Sequence, residues 1–199
     1  MVRNWQNPIS KFTPLITPRV AKGQLVAPMH WTRQRTTAGT VNSVMAPVTD
    51  PLSGQSAPKS SAVSAEMFRA KWYGFLASNT ALTPQTPYAA VARTQTGWQA
   101  ELAGSKTPDD WEADAHLLSG QSGSDDSLQS DTATGTIRVA IAQDGLITAL
   151  LFVSPTPVVL SRTFSVGLIG TDTSPLAALA GRSGPDQPDP GVRSVLALT

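Results

Sequence analysis

The sequence predicts a mainly β protein with some α-helix. Proline and glycine are plentiful, with 16 and 15 copies in 199 residues, and this favours turns and short strands over a helical bundle. The run "TIRVAIAQDGLITALLFV" is the clearest single signal, because two β-rich stretches flank a "QDG" turn as in a β-hairpin. With 40% hydrophobic residues, the chain can bury one good-sized core or two small ones.

The N-terminal third is predicted to be extended and rich in turns. "PLITPRV" and "GQLVAPMHW" are predicted strands interrupted by proline and glycine, and "TVNSVMAPVTD" is a further extended piece. "DPLSGQSAPK" is predicted as a loop. "SAEMFRAKWYGFLAS" is ambiguous, since its apolar spacing fits a helix and its aromatic density fits a strand, so both alternatives stay open.

Two helices are predicted further along the chain. "TPDDWEADAHLL" has Thr107 as a candidate N-cap and Pro108 at the first helical position, followed by aspartates at the positive end of the dipole. "SPLAALAGR" is a short helix that opens at Ser174 and ends at Gly181. Between them, the polar low-complexity residues 119–135 are predicted to form a flexible loop.

The sequence lacks the residue patterns of a self-sufficient catalytic centre. It has no cysteine, which excludes disulfides, thiolate metal ligands and a cysteine-held iron–sulfur cluster in this chain. His30 and His116 are the two histidines, and we expect His116 to be structural. There is no G-x-S-x-G elbow and no phosphate loop, and the paired aspartates fit helix capping and solvated loops. We therefore expect neither a catalytic residue nor a metal ligand.

Charge is distributed unevenly along the chain. Residues 1–49 carry six lysines and arginines and no carboxylate, whereas nine of the fourteen acidic residues fall between Glu101 and Asp144. A basic N-terminal quarter can meet an anionic ligand or the acidic half of the same chain. The net charge of +1 gives nucleic-acid binding little support. No apolar run is long enough to cross a bilayer, and the N-terminus lacks a secretory signal, so we expect a cytoplasmic protein without membrane contact.

Residues 25–59 concentrate rings, amides, hydroxyls and cations, which suits the binding of a large polar heterocycle that carries phosphates. The alternative is a β-hairpin with Trp31 in the core and solvated arginines. The candidates are His30 and Trp31 for ring contacts, Thr32, Gln34, Asn42 and Gln55 for edge contacts, and Arg33, Arg35 and Lys59 for charge.

The same stretch resembles a known family. "APMHWTRQRTTAGTVNSVMAPVTDPLSGQSAPK" is similar to the C-terminal molybdopterin-dinucleotide-binding domain of bacterial assimilatory nitrate reductases, in the dimethyl-sulfoxide-reductase superfamily of molybdenum oxidoreductases. The matching features are "PMHWT" at 28–32, Asn42, "DPLSGQ" at 50–55, and Lys59. Downstream, "WYGF", "LLFVSPTPVVLSRTF" and "LAGRSGPDQPDPG" resemble later family blocks in the same order.

The resemblance implies a fold and a division of the chain. The fold would be an aspartate-decarboxylase-like double-psi β-barrel, here incomplete, followed by a small α+β extension. The implied segments are the barrel segment 13–75, a helical connection 76–118, the flexible polar loop 119–135, the α+β extension 136–182 and a linker tail 183–199.

The resemblance also implies a cofactor, bis(molybdopterin guanine dinucleotide) molybdenum, shared with a domain that this sequence lacks. Asp50 and Pro51 would shape the turn that places Gly54 and Lys59. The residues implied to line the pterin side are His30, Trp31, Thr32, Asn42 and Lys59.

Some features depart from the family pattern. Arg33 stands where an acidic or neutral residue is expected, and "GVRSVLALT" replaces a cysteine-containing segment. We therefore expect a non-catalytic C-terminal fragment of a nitrate reductase, with the catalytic domain on another chain as its partner. The alternative is a degenerate, non-enzymatic β-rich remnant or interaction domain without cofactor.

Overall fold

The computed structural model describes residues 10–12, 14, 17–27, 32–46, 48–55, 61–121, 125–182 and 195–198. Within these ranges the protein is mainly β, as predicted. The strands are β1 Ser10–Phe12, β2 Ala65–Phe68, β3 Trp72–Ser78, β4 Tyr88–Arg93, β5 Trp98–Gly104, β6 Asp125–Asp131, β7 Thr136–Gln143, β8 Leu146–Ser154 and β9 Val195–Leu198. The α-helices are α1 Trp111–Ser119, α2 Arg162–Gly167 and α3 Pro175–Leu179, and a 3-10 helix spans Val41–Ser43.

Six strands form one antiparallel sheet in the order β4-β5-β3-β8-β7-β6. The two central strands, β3 and β8, are apolar along almost their whole length because both faces of the sheet are covered. On one face, α1 packs Ala115 and Leu118 onto a core that includes Leu76 and Leu151. On the other face, the helices α2 and α3 cover a second core around Phe75 and Leu150.

The predicted hairpin is confirmed as β7 and β8. The connecting residues Asp144 and Gly145 both have positive φ angles, 53° and 76°, as a two-residue type I′ turn requires. The ladder shifts register between Ile141 and Ala142, and Thr148 Oγ1 donates a hydrogen bond to the Ile141 carbonyl there at 3.1 Å. The ambiguous "SAEMFRAKWYGFLAS" stretch is extended and contributes β2 and β3.

Both predicted helices form, but the first begins later than predicted. Its N-cap is Asp110 and not Thr107: Asp110 Oδ1 accepts hydrogen bonds from the backbone N–H groups of Glu112 and Ala113, both at 3.0 Å. An aspartate caps a helix as well as a threonine does, so the sequence allowed either start. The second helix is capped by Ser174 as predicted.

The expectation of a helical connection over 76–118 was wrong. These residues include the end of β3 and all of β4 and β5, and α1 is their one described helix. β4 and β5, "YAAVAR" and "WQAELAG", are rich in alanine, which favours helices in isolation, but they pair with each other along their length. Sheet pairing overrides the local preference.

Part of the predicted flexible loop 119–135 is also regular, because β6 pairs with β7 along its whole length. His116 on α1 contacts the start of β6: its Nε2 lies 2.6 Å from Asp126 Oδ2, and its Nδ1 lies 2.9 Å from the Gln121 carbonyl. His116 is therefore structural, as predicted.

A second, three-stranded antiparallel sheet has the order β1-β9-β2. Its central strand, β9, lies in the predicted linker tail 183–199, so the tail is not wholly a linker. The pairing brings the N-terminal Ser10–Phe12 and the segment before β3 to one sheet, which is a contact between distant parts of the chain that local patterns do not encode.

The predicted strands of the N-terminal third do not form in residues 17–27, which contain turns. Instead, residues 35–37 lie along the free edge of β4. Thr36 bridges Ala90, and the Val91 N–H donates to the Arg35 carbonyl at 2.7 Å. This segment therefore covers an edge that would otherwise expose unpaired backbone groups.

Candidate functional site

An open polar groove of about 600 Å³ lies beside this edge of the sheet. One wall comes from residues 33–43, and the other comes from the loop before β4. The described lining is made of hydroxyls, one amide and one guanidinium, and it contains no carboxylate. The lining residues are Arg33, Thr36, Thr37, Ala38, Thr40, Ser43, Gln85 and Thr86.

The first wall is held by hydrogen bonds from its own hydroxyls. Thr36 Oγ1 accepts from the Gly39 N–H at 2.8 Å, and a Cβ added at Gly39 would lie 2.7 Å from that oxygen. Thr37 Oγ1 accepts from the Ala89 N–H of β4 at 2.8 Å. Thr36 is buried. The hydroxyls of Thr36 and Thr37 therefore hold the bend in "TTAGT" through hydrogen bonds to backbone N–H groups, without an apolar core.

The 3-10 helix Val41–Ser43 follows this bend directly. Ser43 Oγ donates to the Thr40 carbonyl at 2.6 Å, and Ser10 Oγ of β1 donates to the same carbonyl at 2.7 Å. Val41 is buried and anchors the helix. Asn42, which lies between Val41 and Ser43 in the sequence, is exposed.

Lys11 joins the two walls through two hydrogen bonds. Its backbone N–H donates to the Ala38 carbonyl at 2.6 Å, and its Nζ donates to the Pro87 carbonyl at 3.0 Å. The ammonium also lies 4.5 Å from the centroid of the Phe68 ring. Partial burial lowers the pKa of Lys11. The hydrogen bonds to Ala38 and Pro87 mean that Lys11 links the first wall to the loop before β4.

The "DPLSGQ" motif is a turn, as the sequence predicted. Asp50 Oδ1 accepts hydrogen bonds from the Ser53 N–H at 2.7 Å and from the Leu52 N–H at 3.0 Å. The Gly54 N–H donates to the Asp50 carbonyl, with φ at Gly54 of 67°. The Ser53 and Leu52 hydrogen bonds lower the pKa of Asp50. The turn thus depends on an ionised aspartate and on the glycine.

The structure describes two of the five residues implied to contact cofactor. Thr32 and Asn42 are both exposed, and among the described residues none hydrogen-bonds the Asn42 amide. Thr32 precedes the groove, and its carbonyl accepts from the Arg35 N–H at 2.9 Å. Asn42 is the immediate neighbour of Ser43 in the lining. His30, Trp31 and Lys59 lie outside the described residues, and all five assignments remain predictions.

The two candidate arginines have different surroundings. Arg33 is exposed and lines the groove. The Arg35 guanidinium lies 4.6 Å from the centroid of the Trp98 ring, away from the described lining, and packs there against β5. The candidate amides Gln34 and Gln55 are exposed and are not part of the described lining.

Sequence reasoning missed Gln85 and Thr86. They lie about fifty residues beyond Arg33, in a segment that was expected to be helical, and no motif marks them. It also left the individual hydroxyls of the first wall unnamed, although the "TTAGTVNS" run was a usable signal because of its density of threonine and serine.

Other functional sites are not evident in the part of the chain that the structure describes. It contains no group of three or more histidine, aspartate and glutamate side chains that could hold a metal ion. No helix within the described ranges has the length and hydropathy to cross a membrane.

Comparison with known proteins gives the groove a context. Residues 11–62 match the molydopterin dinucleotide binding domain family. A nitrate reductase of Klebsiella oxytoca is 45% identical over 56 residues, which is 28% of this chain and 6% of the relative. Residues 11–62, called the binding segment below, are similar to the molydopterin dinucleotide binding domain. This match confirms the resemblance found in residues 11–62, and the downstream blocks lie outside the matched range. No solved structure matches the chain.

The chemistry of this binding segment fits part of such a cofactor. A dinucleotide carries phosphates and sugar hydroxyls, and the groove offers a guanidinium and several hydroxyls without an opposing carboxylate. The described lining has no aromatic ring, so it suits the sugar–phosphate portion better than the flat ring systems.

Proposed function

We propose that the protein binds bis(molybdopterin guanine dinucleotide) molybdenum in this groove, as the cofactor-binding part of a molybdenum-dependent nitrate reductase of the assimilatory type. The observation that carries the proposal is the position of the groove. All the described lining residues of its first wall, from Arg33 to Ser43, lie inside the matched range 11–62.

The proposal assigns roles to the residues of the binding segment. Arg33 would balance phosphate charge, and the hydroxyls beside it would meet sugar and phosphate oxygens. Asn42, which is exposed next to this wall, would bind a pterin edge. The further pterin contacts in the proposal are His30, Trp31, Thr32 and Lys59.

The chain itself would be non-catalytic, and the catalytic domain of a molybdenum reductase, on another chain, would complete the site. When bound, the molybdenum centre supplies the two-electron reduction of an oxyanion such as nitrate. The contribution of this chain is to hold one side of the cofactor. In the proposal, the binding segment adopts a double-psi β-barrel arrangement together with this partner domain.

The proposal is tested by cofactor retention. The purified protein is incubated with molybdopterin guanine dinucleotide released from a denatured molybdenum enzyme, and the retained pterin is measured by fluorescence after oxidation. We expect retention by the wild type, strong loss in Arg33→Ala and Asn42→Ala, and no change in Arg19→Ala, which alters an exposed arginine that is not part of the described lining.

An absence of retained pterin in the wild type would contradict the proposal and favour the alternative, a β-rich interaction domain without cofactor. Equal retention by the wild type and Arg33→Ala would show that the cofactor binds elsewhere.

A further inference from the structure

The second wall of the groove comes from outside the matched range. Gln85 and Thr86 lie in the loop that enters β4, more than twenty residues after residue 62. The groove is therefore a joint between the binding segment and the six-stranded sheet.

Several hydrogen bonds hold this second wall in place. Thr86 Oγ1 donates to the Tyr88 carbonyl at 2.7 Å, and the Lys11 ammonium donates to the Pro87 carbonyl at 3.0 Å. The Thr37 N–H donates to the Ala89 carbonyl at 3.2 Å, which ties the opposite wall to the same strand. Two walls fixed to each other present a ready-made site, and a ready-made site loses less entropy on binding.

The end groups of Gln85 are available to a ligand. The side chain is exposed, and its Nε2 makes one long hydrogen bond, 3.2 Å, to the Thr83 carbonyl. Within the described residues, no hydrogen bond reaches its Oε1. The amide thus has a spare N–H and a free carbonyl oxygen, while Thr86 Oγ1 keeps lone pairs that can accept.

The residues of the first wall indicate which ligand groups would lie beside Gln85 and Thr86. Arg33 and the hydroxyls of Thr40 and Ser43 suit anionic and hydroxylated groups. A neutral amide that lines the same groove as a guanidinium can donate to a phosphate oxygen and accept from a sugar hydroxyl. It adds no charge that would compete with the phosphate for Arg33.

We propose that Gln85 and Thr86 contact the ribose–phosphate portion of the nucleotide, as a second, sheet-borne wall of the cofactor groove. This inference rests on the proposed function, and it adds residues that the family match does not include. It makes the sheet a part of the recognition surface as well as the scaffold.

The test uses guanosine diphosphate as the probe and measures its dissociation constant by titration calorimetry. We expect Gln85→Ala to weaken binding about five- to tenfold, as one net hydrogen bond does. Gln85→Glu places a carboxylate across from the phosphates, so we expect a larger loss, more than tenfold. Gln143→Ala, an exposed glutamine at the β7–β8 turn, serves as the matched control and leaves binding unchanged.

The outcomes separate this inference from the proposed function. If Arg33→Ala abolishes binding while Gln85→Ala and Gln85→Glu both bind like the wild type, the second wall makes no contact and the inference is overturned, with the proposed function intact. If Gln85→Ala and Gln85→Glu weaken binding equally, the effect is not one of phosphate contact, and the inference is again overturned. If the wild type itself binds no guanosine diphosphate, both the inference and the nucleotide-binding part of the proposed function are wrong.

Discussion

The six-stranded sheet and the binding segment keep their shapes by different means. The sheet buries apolar side chains on both faces, and Phe75, Leu150 and Leu151 are almost completely inaccessible. Residues 32–55 of the binding segment bury very little, and Val41 is the one buried valine, leucine or methionine among their described residues. Their bends are made by side-chain hydroxyls and a carboxylate bonded to the backbone. The family likeness thus lies where polar chemistry sets the conformation, and most of the stability lies elsewhere.

The largest predicted loss of stability comes from a substitution in the six-stranded sheet. Phe75→Ala removes a fully buried ring from the core under α2 and α3, so we expect it to lower the free energy of unfolding by about 3–5 kcal/mol. Leu52→Ala in the binding segment, where the side chain is 97% exposed, should change it by less than about 0.5 kcal/mol. Urea unfolding measures both. Similar losses in the two variants would remove the distinction between the regions.

Arg162 of α2, whose side chain is partly buried, gives a second prediction. Its guanidinium lies 4.9 Å from the Phe75 ring centroid, donates to the Val158 and Leu160 carbonyls at 2.9 Å, and pairs with Glu101 at 2.9 Å. We expect Arg162→Ala to cost about 2 kcal/mol, because the carbonyls lose their donors. Glu101→Gln should cost less than about 1 kcal/mol, because Glu101 is close to half exposed. Thermal unfolding compares the two, and a larger loss in Glu101→Gln would refute this account.

The third prediction is a pH dependence at the edge of the sheet. Partial burial lowers the pKa of His116, but its bonds to the Gln121 carbonyl and the Asp126 carboxylate, with the negative charges of Asp126 and Glu112, outweigh this and raise the pKa. The His116–Asp126 pair therefore contributes its full stabilisation at pH values below the unfolded-state pKa of histidine. This stabilisation is lost as pH rises through the higher folded-state pKa of His116.

His116→Gln should remove this dependence and cost about 1 kcal/mol at low pH. Unfolding curves of the wild type and the variant, recorded across the titration range of histidine, check it. A wild-type stability that rises through this range relative to the variant would have the wrong sign.

The smallest predicted changes in stability are those of substitutions at Arg33 and Arg35 in the binding segment, and they differ between the two arginines. Arg33→Ala should leave the unfolding free energy unchanged within about 0.5 kcal/mol, because the side chain is exposed. Arg35→Ala should lower it by about 0.5–1 kcal/mol, because the contact with Trp98 is lost. Nucleotide binding should show the reverse order, with loss in Arg33→Ala and little change in Arg35→Ala. Equal binding losses would place both side chains at the ligand.

The sequence predicted features that depend on near neighbours. The β7–β8 hairpin follows from its "QDG" turn, the turn at Asp50 from "DPLSGQ", and the helix at Ser174 from its cap. Features that depend on distant pairing were wrong or unforeseen. β4 and β5 are alanine-rich and become strands because they pair, and Gln85 reaches the groove because residues 35–37 lie along β4. No local pattern encodes such an encounter.

We propose that the groove between residues 33–43 and the loop before β4 binds the nucleotide. Amide hydrogen exchange, measured with and without guanosine diphosphate, tests this most directly. We predict slower exchange in peptides covering residues 33–43 and 83–88, with no change in the β7–β8 hairpin. Slower exchange confined to other parts of the chain, or no change at either wall at saturating nucleotide, would contradict the claim.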